Sequence, residues 1–122
     1  MKYAESHEWI EMETLDIGRV GVTNYAQKEL GDIVYVELPT VGKTVRAGQE
    51  VAVLESTKAA ADVYSPVTGL IVAVNPLLQR APELINQSSE EQGWLYKIQL
   101  TNLAEMDLLM NLEAYQAMLN GA

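Results

Sequence analysis

Glycine, proline and asparagine cut this sequence into β-branched runs too short to be long helices. That rhythm is the mark of an all-β sandwich or barrel. The runs predict strands over Glu8 to Met12, Gly18 to Val22, Ile33 to Glu37, Gln49 to Glu55, Asp62 to Tyr64, Leu70 to Val74 and Leu95 to Gln99. Val51, Val53, Val63, Val72 and Val74 recur with the alternation of sandwich strands, so "ESTKAAAD" is expected to fall where one strand ends and the next begins. Two stretches depart from the pattern. In "TNYAQKELGD", Asn24 followed by Gln27 resembles a capping box, and Gly31 suits a left-handed helix end, so a short helix is predicted. In "TNLAEMDLLMNLEAYQAMLNGA", Asn102 with Glu105 repeats the cap, and Leu108, Leu112, Tyr115 and Leu119 recur at helical spacing. A closing helix, broken near Asn111, is predicted to lie against the sheets.

With 122 residues, 48% of them hydrophobic, the chain has the size of one ordinary domain with a real core. No linker, low-complexity tract or charge block divides it, so residues 1–122 are expected to form a single domain. The loosest part, Asn75 to Trp94, holds two prolines and a polar run and is expected to cross the surface, carrying partner contacts or connecting strands. Within it, Asn86-Gln87-Ser88 matches a glycosylation acceptor but reads as a polar loop.

Charge and residue usage narrow the function. Eight basic against seventeen acidic residues give a net charge of −9, which repels phosphate backbones and anionic headgroups, so neither nucleic acid nor a membrane is expected as a partner. No apolar run approaches the ~18 residues that span a bilayer, and no targeting segment is seen. The expectation is a soluble cytoplasmic chain. One histidine and no cysteine cannot assemble a typical His/Cys metal site or a Cys/His pair, and no phosphate-binding glycine loop or GxSxG elbow appears. A self-sufficient active site is not expected.

One lysine stands apart. In "VLESTKAAADVYSPVTG", Lys58 falls where one predicted strand ends and the next begins, at the tip of a hairpin. A turn there ordinarily recruits Gly, Asn or Asp, yet this one has Ser56, Thr57 and the small residues Ala59 to Ala61. The side chain is expected to be presented to solvent rather than paired.

The stretch "ESTKAAADVYSPVTG" resembles the lipoyl attachment site of the glycine cleavage system H-protein family. So do "KYAESHEW", "VGVTNYAQKELGDIVYVELP", "PELIN" and "GWLYKI", then Leu109-Met110 and Tyr115, all in family order over nearly the whole chain. An ESxKA turn alone would not separate this family from the lipoyl domains of 2-oxoacid dehydrogenases, nor a lysine turn from biotin carriers. "SHEW", "NYAQKELGDIVYVELP" and the closing helix do. The resemblance implies a barrel-sandwich hybrid, the lipoyl-domain-like form of an all-β fold, with lipoic acid amide-linked to Lys58.

It further implies a non-catalytic carrier. The arm would take an aminomethyl group from the pyridoxal-phosphate-dependent glycine decarboxylase, pass it to the tetrahydrofolate-dependent aminomethyltransferase, and be reoxidised by the flavin (FAD) enzyme dihydrolipoyl dehydrogenase. A lipoate ligase or lipoyl transferase would attach it, and a monomer is expected of a carrier that visits several enzymes. Family positions that hold the loaded arm's amine in a cleft match Ser6, Glu8 and Asp62, while His7 and Trp9 are expected to pack the first strand. A carboxylate near a protonated amine is what charge-assisted hydrogen bonding favours. The chain departs from the family at Leu70 and Ala73, where acidic residues are frequent, at Ala61, where serine is, and at Gln87-Ser88-Ser89, without the usual proline and aromatic. These departures bear on partner and ligase recognition. They keep open an H-like carrier that donates or relays lipoate outside glycine cleavage. Against the carrier class stand an interaction module that is never lipoylated and a weak enzyme using acidic residues, which lacks a nucleophile or metal cluster to support it.

Overall fold

The computed structural model describes residues 1–121. Nine strands form two sheets whose neighbouring strands are all antiparallel. In chain order they are β1 (Lys2–Tyr3), β2 (Glu8–Met12), β3 (Ile17–Val22), β4 (Ile33–Glu37), β5 (Thr44–Val45), β6 (Glu50–Ser56), β7 (Ala60–Tyr64), β8 (Gly69–Val74) and β9 (Tyr96–Leu100). The larger sheet runs β1-β2-β3-β9-β8-β5 and the smaller one β4-β6-β7. Between them lies one apolar core that includes Ile10, Val20, Val36, Leu54, Val63, Ile71 and Ile98. Helices α1 (Asn24–Leu30), α2 (Leu84–Gln87) and α3 (Leu112–Leu119) and a 3-10 turn over Leu103–Leu108 complete the chain. The all-β architecture with an internal and a closing helix is as the sequence predicts.

Strand β2 explains how the closing helix attaches. Its first three residues, Glu8, Trp9 and Ile10, are all buried, so both of its faces are covered. Ile10 points into the main core. Trp9, one residue out of phase, points the other way and packs with Tyr3 and Tyr115, under Met118 and Leu119 of α3. The indole has room because its cross-strand partner is Gly21, where a Cβ would come within 2.7 Å of the ring. Its Nε1 donates to the carbonyls of Val22 (2.9 Å) and Ser89 (3.0 Å). Backbone hydrogen bonds between Tyr3 and Met110, both 2.8 Å, tie the segment before α3 to β1.

Several local expectations are corrected. Helix α1 is capped by Thr23, whose side chain accepts from the Ala26 amide, and not by Asn24, which is already helical and accepts from the Gln27 side chain instead. Gly31 has positive φ (85°), but its ψ of −162° leads the chain straight into an extended path rather than a left-handed turn. The break at Asn111 is present, with Asn111 capping α3, but the segment before it is a 3-10 turn. Glu105 does not close a capping box; it accepts from the amide and hydroxyl of Thr68. Leu108 and Leu112 are exposed, leaving Tyr115 as the buried anchor of the closing helix.

The core face of β6 carries Ala52 and Leu54, not Val51 and Val53, which lie half-buried on the opposite face. A register irregularity between Glu50 and Ala52 sets this phase. In β8, Ile71 is the core residue, and an irregularity between Ile71 and Ala73 leaves Val72 and Val74 only partly covered. Nor does Asn75 to Trp94 merely cross the surface. It inserts Leu78 and Ile85 into the main core, and its Asn86 side chain bonds the Ile33 amide, the Gly31 carbonyl and Gln27.

The seating of Trp9 yields a test. Gly21→Ala places a methyl against an indole that is fully buried and held by two hydrogen bonds, so the strand pair must shift. A loss of about 1–3 kcal/mol in unfolding free energy is expected from urea titration. An unchanged midpoint would show that the indole yields freely.

Candidate functional site

The β6–β7 hairpin turns through Thr57, Lys58 and Ala59. Its chemistry resolves the missing Gly, Asn or Asp. The Ser56 hydroxyl accepts from the amides of Lys58 and Ala59, both at 3.1 Å, and donates to the Ala59 carbonyl at 3.1 Å, reinforcing the backbone bond from the Ser56 amide to that carbonyl at 2.8 Å. The Thr57 amide donates to the Asp32 carbonyl at 3.1 Å, which fastens the tip to the loop after α1. Lys58 is exposed but not partnerless. Its Nζ donates to the Glu29 carbonyl at 3.2 Å, and its stem lies over Gly31. Carbonyls at a helix C-terminus lack intrahelical partners and carry partial negative charge, so they suit an ammonium.

Beside this helix end lies a cavity of ≈ 310 Å³, lined by Ser6, His7, Glu8, Tyr25, Asp62 and apolar side chains that include Leu30, Leu54 and Val63. Ser6, Glu8 and Asp62 thus share one cavity. Lys58 does not line it, but Glu29, which takes the lysine Nζ, does. The three carboxyl and hydroxyl groups are not equivalent. Glu8 is 2% exposed, whereas Ser6 and Asp62 are exposed at the rim. Asp62 pairs with Val53 across β6, which by strand alternation sets it on the face opposite the Leu54–Ala61 pair, so it reaches the cavity only at its edge.

Both oxygens of Glu8 are engaged: Oε1 accepts from the Ser6 hydroxyl and Oε2 from the Tyr64 amide at 3.1 Å. These bonds favour the carboxylate, yet burial against apolar walls outweighs them and pushes the carboxyl up to about 7. At neutral pH the carboxyl keeps a protonated share that a solvated glutamate lacks. Burial pushes the buried phenol of Tyr96 up against a hydrogen bond with Ser65, and the nearby Glu8 charge adds to the rise, so it remains a neutral O–H. The site can therefore accept a cation at Glu8, with no lysine or arginine in the cavity lining to compete.

Sequence reasoning assigned His7 to packing. It does pack, against Tyr25 and Tyr115, but it also lines the cavity. Tyr25, Glu29 and Leu30 were not singled out at all. They reach the cavity because α1 lies across its mouth, a packing that no local pattern encodes. Among the described residues no helix is long and apolar enough to cross a membrane, and no group of three or more His, Asp or Glu is placed to hold a metal.

The comparisons agree over the full length. The family model described as Glycine cleavage H-protein matches residues 1–122. The glycine cleavage system H protein of Teredinibacter turnerae is 49% identical over 94% of this chain and 88% of its own, and that of Thermotoga maritima is 50% identical over 94% and 92%. The crystal structure of a glycine cleavage system H protein from Mycobacterium marinum superposes with a TM-score of 0.87 at 38% identity, covering 99% of this chain and 96% of that one.

Burial of Glu8 predicts a pH effect on stability. Its folded pKa, about 7, lies above the unfolded value of 4.5, so the native state holds the extra proton between them. The stability tied to the neutral carboxyl is complete below pH 4.5 and is lost as pH rises through 7. Glu8→Gln keeps the shape and removes the titration. The stability of Glu8→Gln minus that of the original chain should grow by about 1–3 kcal/mol between pH 5 and pH 8, measured by urea unfolding at each pH. A flat difference would mean that the carboxyl is solvated.

Proposed function

The chain belongs to the glycine cleavage H-protein family, and from that premise we propose that it carries its lipoyl group on Lys58 and shelters the cargo of that arm in the cavity of Glu8. As a member it is a non-catalytic lipoyl carrier of the glycine cleavage system. The arm supplies a mobile dithiol that accepts and releases an aminomethyl group and electrons. Everything else asked of this chain is presentation and shelter.

The observation that carries the reading is the adjacency of the Lys58 turn to that cavity, through the end of α1. Ser56 holds the turn in one shape, the alanines that follow leave the lysine accessible, and its only described partner is a backbone carbonyl that a ligase can displace. Amide formation removes the ammonium and with it the reason to stay at Glu29. In the cavity, an arriving ammonium would stabilise the ionised form of Glu8 and drive off its remaining proton. Ser6 fixes the carboxylate from one side and the Tyr64 amide from the other. Asp62 adds a weaker, solvent-screened attraction at the rim.

The finer assignments follow from the family. The donor of the aminomethyl group is the pyridoxal-phosphate glycine decarboxylase, its acceptor the tetrahydrofolate-dependent aminomethyltransferase, and dihydrolipoyl dehydrogenase restores the disulfide. A lipoate ligase or lipoyl transferase loads Lys58. The whole chain acts as one carrier domain, a monomer, in the cytoplasm; the bacterial relatives support that setting.

Peptide mapping after incubation with lipoate ligase should find one lipoyl group, on Lys58, and none on Lys2, Lys28, Lys43 or Lys97. A Lys58→Arg protein should gain no mass. Lipoate on any other lysine would remove the assignment. For the cavity, each protein is loaded with glycine and the decarboxylase, and formaldehyde release is followed in time. Glu8→Gln should release about ten to a hundred times faster than the original chain, the worth of one charge-assisted hydrogen bond, and Asp62→Asn less. Equal rates in both variants would mean that the cavity does not hold the amine.

A further inference from the structure

The imidazole of His7 lies between the cavity and the closing helix. Its Nδ1 is 2.8 Å from the Tyr115 hydroxyl, which is 2.7 Å from Thr23 Oγ1. The ring tilts over Tyr25 at 4.7 Å between centroids and meets Tyr115 edge-on. To place it there the backbone adopts φ = 74° at His7, the one non-glycine residue with positive φ among those described. Such a conformation persists only where its surroundings impose it, and it gathers at functional sites.

The direction of the protons follows from counting donors. Thr23 is 1% exposed, and its Oγ1 already accepts the Ala26 amide as the cap of α1. Its own O–H has one described oxygen to give to, that of Tyr115. The Tyr115 O–H is then left with one acceptor, His7 Nδ1. The reverse order would bury the Thr23 O–H with no acceptor at all. Nδ1 is therefore bare, and the single proton of the neutral ring sits on Nε2. Burial holds the ring neutral by lowering its pKa, with Glu29 acting weakly against it. The other ionisable groups facing it are Glu8 from β2, Asp62 from β7, Tyr25 from α1 and Tyr115 from α3.

On the carrier reading, we propose that His7 is a binding residue for the arm, its Nε2–H donating to the free sulfur of the reduced dithiol while Glu8 takes the amine borne by the other sulfur. The two residues are adjacent and chemically opposite, an acceptor and a donor. An oxidised dithiolane offers neither an amine nor a thiolate, so this two-point hold selects the reduced, loaded arm. The closing helix takes part at one remove: Tyr115 is a positioning residue that fixes which nitrogen of His7 carries the proton.

Two features make the test clean, since the chain has one histidine and no cysteine. Nitrogen-15 NMR of the unmodified protein sees one imidazole, and it should report the Nε2–H tautomer; Tyr115→Phe should turn it into a mixture. An Nδ1–H tautomer, or one indifferent to Tyr115→Phe, would overturn the donor assignment whether or not Lys58 is lipoylated. In lipoylated protein loaded from glycine by the decarboxylase and then separated from that enzyme, every thiolate absorbance belongs to the free sulfur of the arm. His7→Asn keeps a group near Nδ1, tolerates positive φ and has nothing at the place of Nε2, whereas His7→Gln carries an N–H to about that place. That one thiol should ionise about one pH unit lower in the original chain than in His7→Asn, a tenfold difference in thiolate fraction, with partial recovery in His7→Gln. Identical titrations in all three would overturn the contact. Failure of Lys58 to take up lipoate, seen as unchanged mass, would instead remove the carrier reading and leave the tautomer result standing.

Discussion

The burial of Trp9 on the outer face of β2 is the constraint on which the rest depends. Side chains in a strand alternate, so fixing one fixes its neighbours. With the indole seated against Gly21, hydrogen-bonded at Nε1 and covered by Tyr115, Glu8 has no way to face solvent. It must point between the sheets, where the walls are Leu54, Val63 and Val22. The same seating brings α3 down onto β1 and β2, and with it the Tyr115 hydroxyl that meets His7 and Thr23. One aromatic anchor thus joins the closing helix to the stretch that carries His7 and Glu8.

Presentation of Lys58 rests on a different, smaller device. A hairpin tip with glycine would be mobile, and one with Asn-Gly would be rigid but would put a different residue at the apex. Ser56 gives a third solution, in which a side chain adds its hydrogen bonds to the backbone one across the turn and leaves the apical residue exposed. The Thr57–Asp32 backbone bond then relates the tip to α1 and so to the cavity mouth. Lys58 stays exposed while its distance from the cavity is held by backbone contacts rather than by its own side chain.

How much of this could be read beforehand follows from what alternation and caps encode. Strands β2 and β4 have the bounds that their residues predict, and the hairpin around Lys58 lies where two runs meet. The two-residue strands β1 and β5 are too short for any period to register. The valines of β6 and β8 mark strands, as expected, but β-branching does not say which face they occupy. Register irregularities at Glu50/Ala52 and Ile71/Ala73 set the phase, and those depend on partners distant in sequence. Thr23 displaced Asn24 as cap since its hydroxyl also meets Tyr115, a residue 92 positions away. For the site, Ser6, Glu8 and Asp62 were legible only through resemblance. Nothing local distinguishes a buried Glu8 from the other acidic residues of so acidic a chain, because its burial comes from a sheet face closed by other elements.

That burial has a functional logic that surface carboxylates lack. An exposed pair of opposite charges is worth little in water, because solvent and salt screen it. A carboxyl walled by apolar groups is costly to ionise, and for the same reason its attraction for a cation that enters is poorly screened. With its pKa raised to about 7, Glu8 is poised so that an ammonium supplies the missing compensation, and without the cation the carboxyl can take a proton instead. The fold therefore tolerates an empty cavity without a stranded charge at its centre. A chain of net charge −9 offers cations many superficial carboxylates; burial sets Glu8 apart from them, and the seating of Trp9 is what keeps it buried.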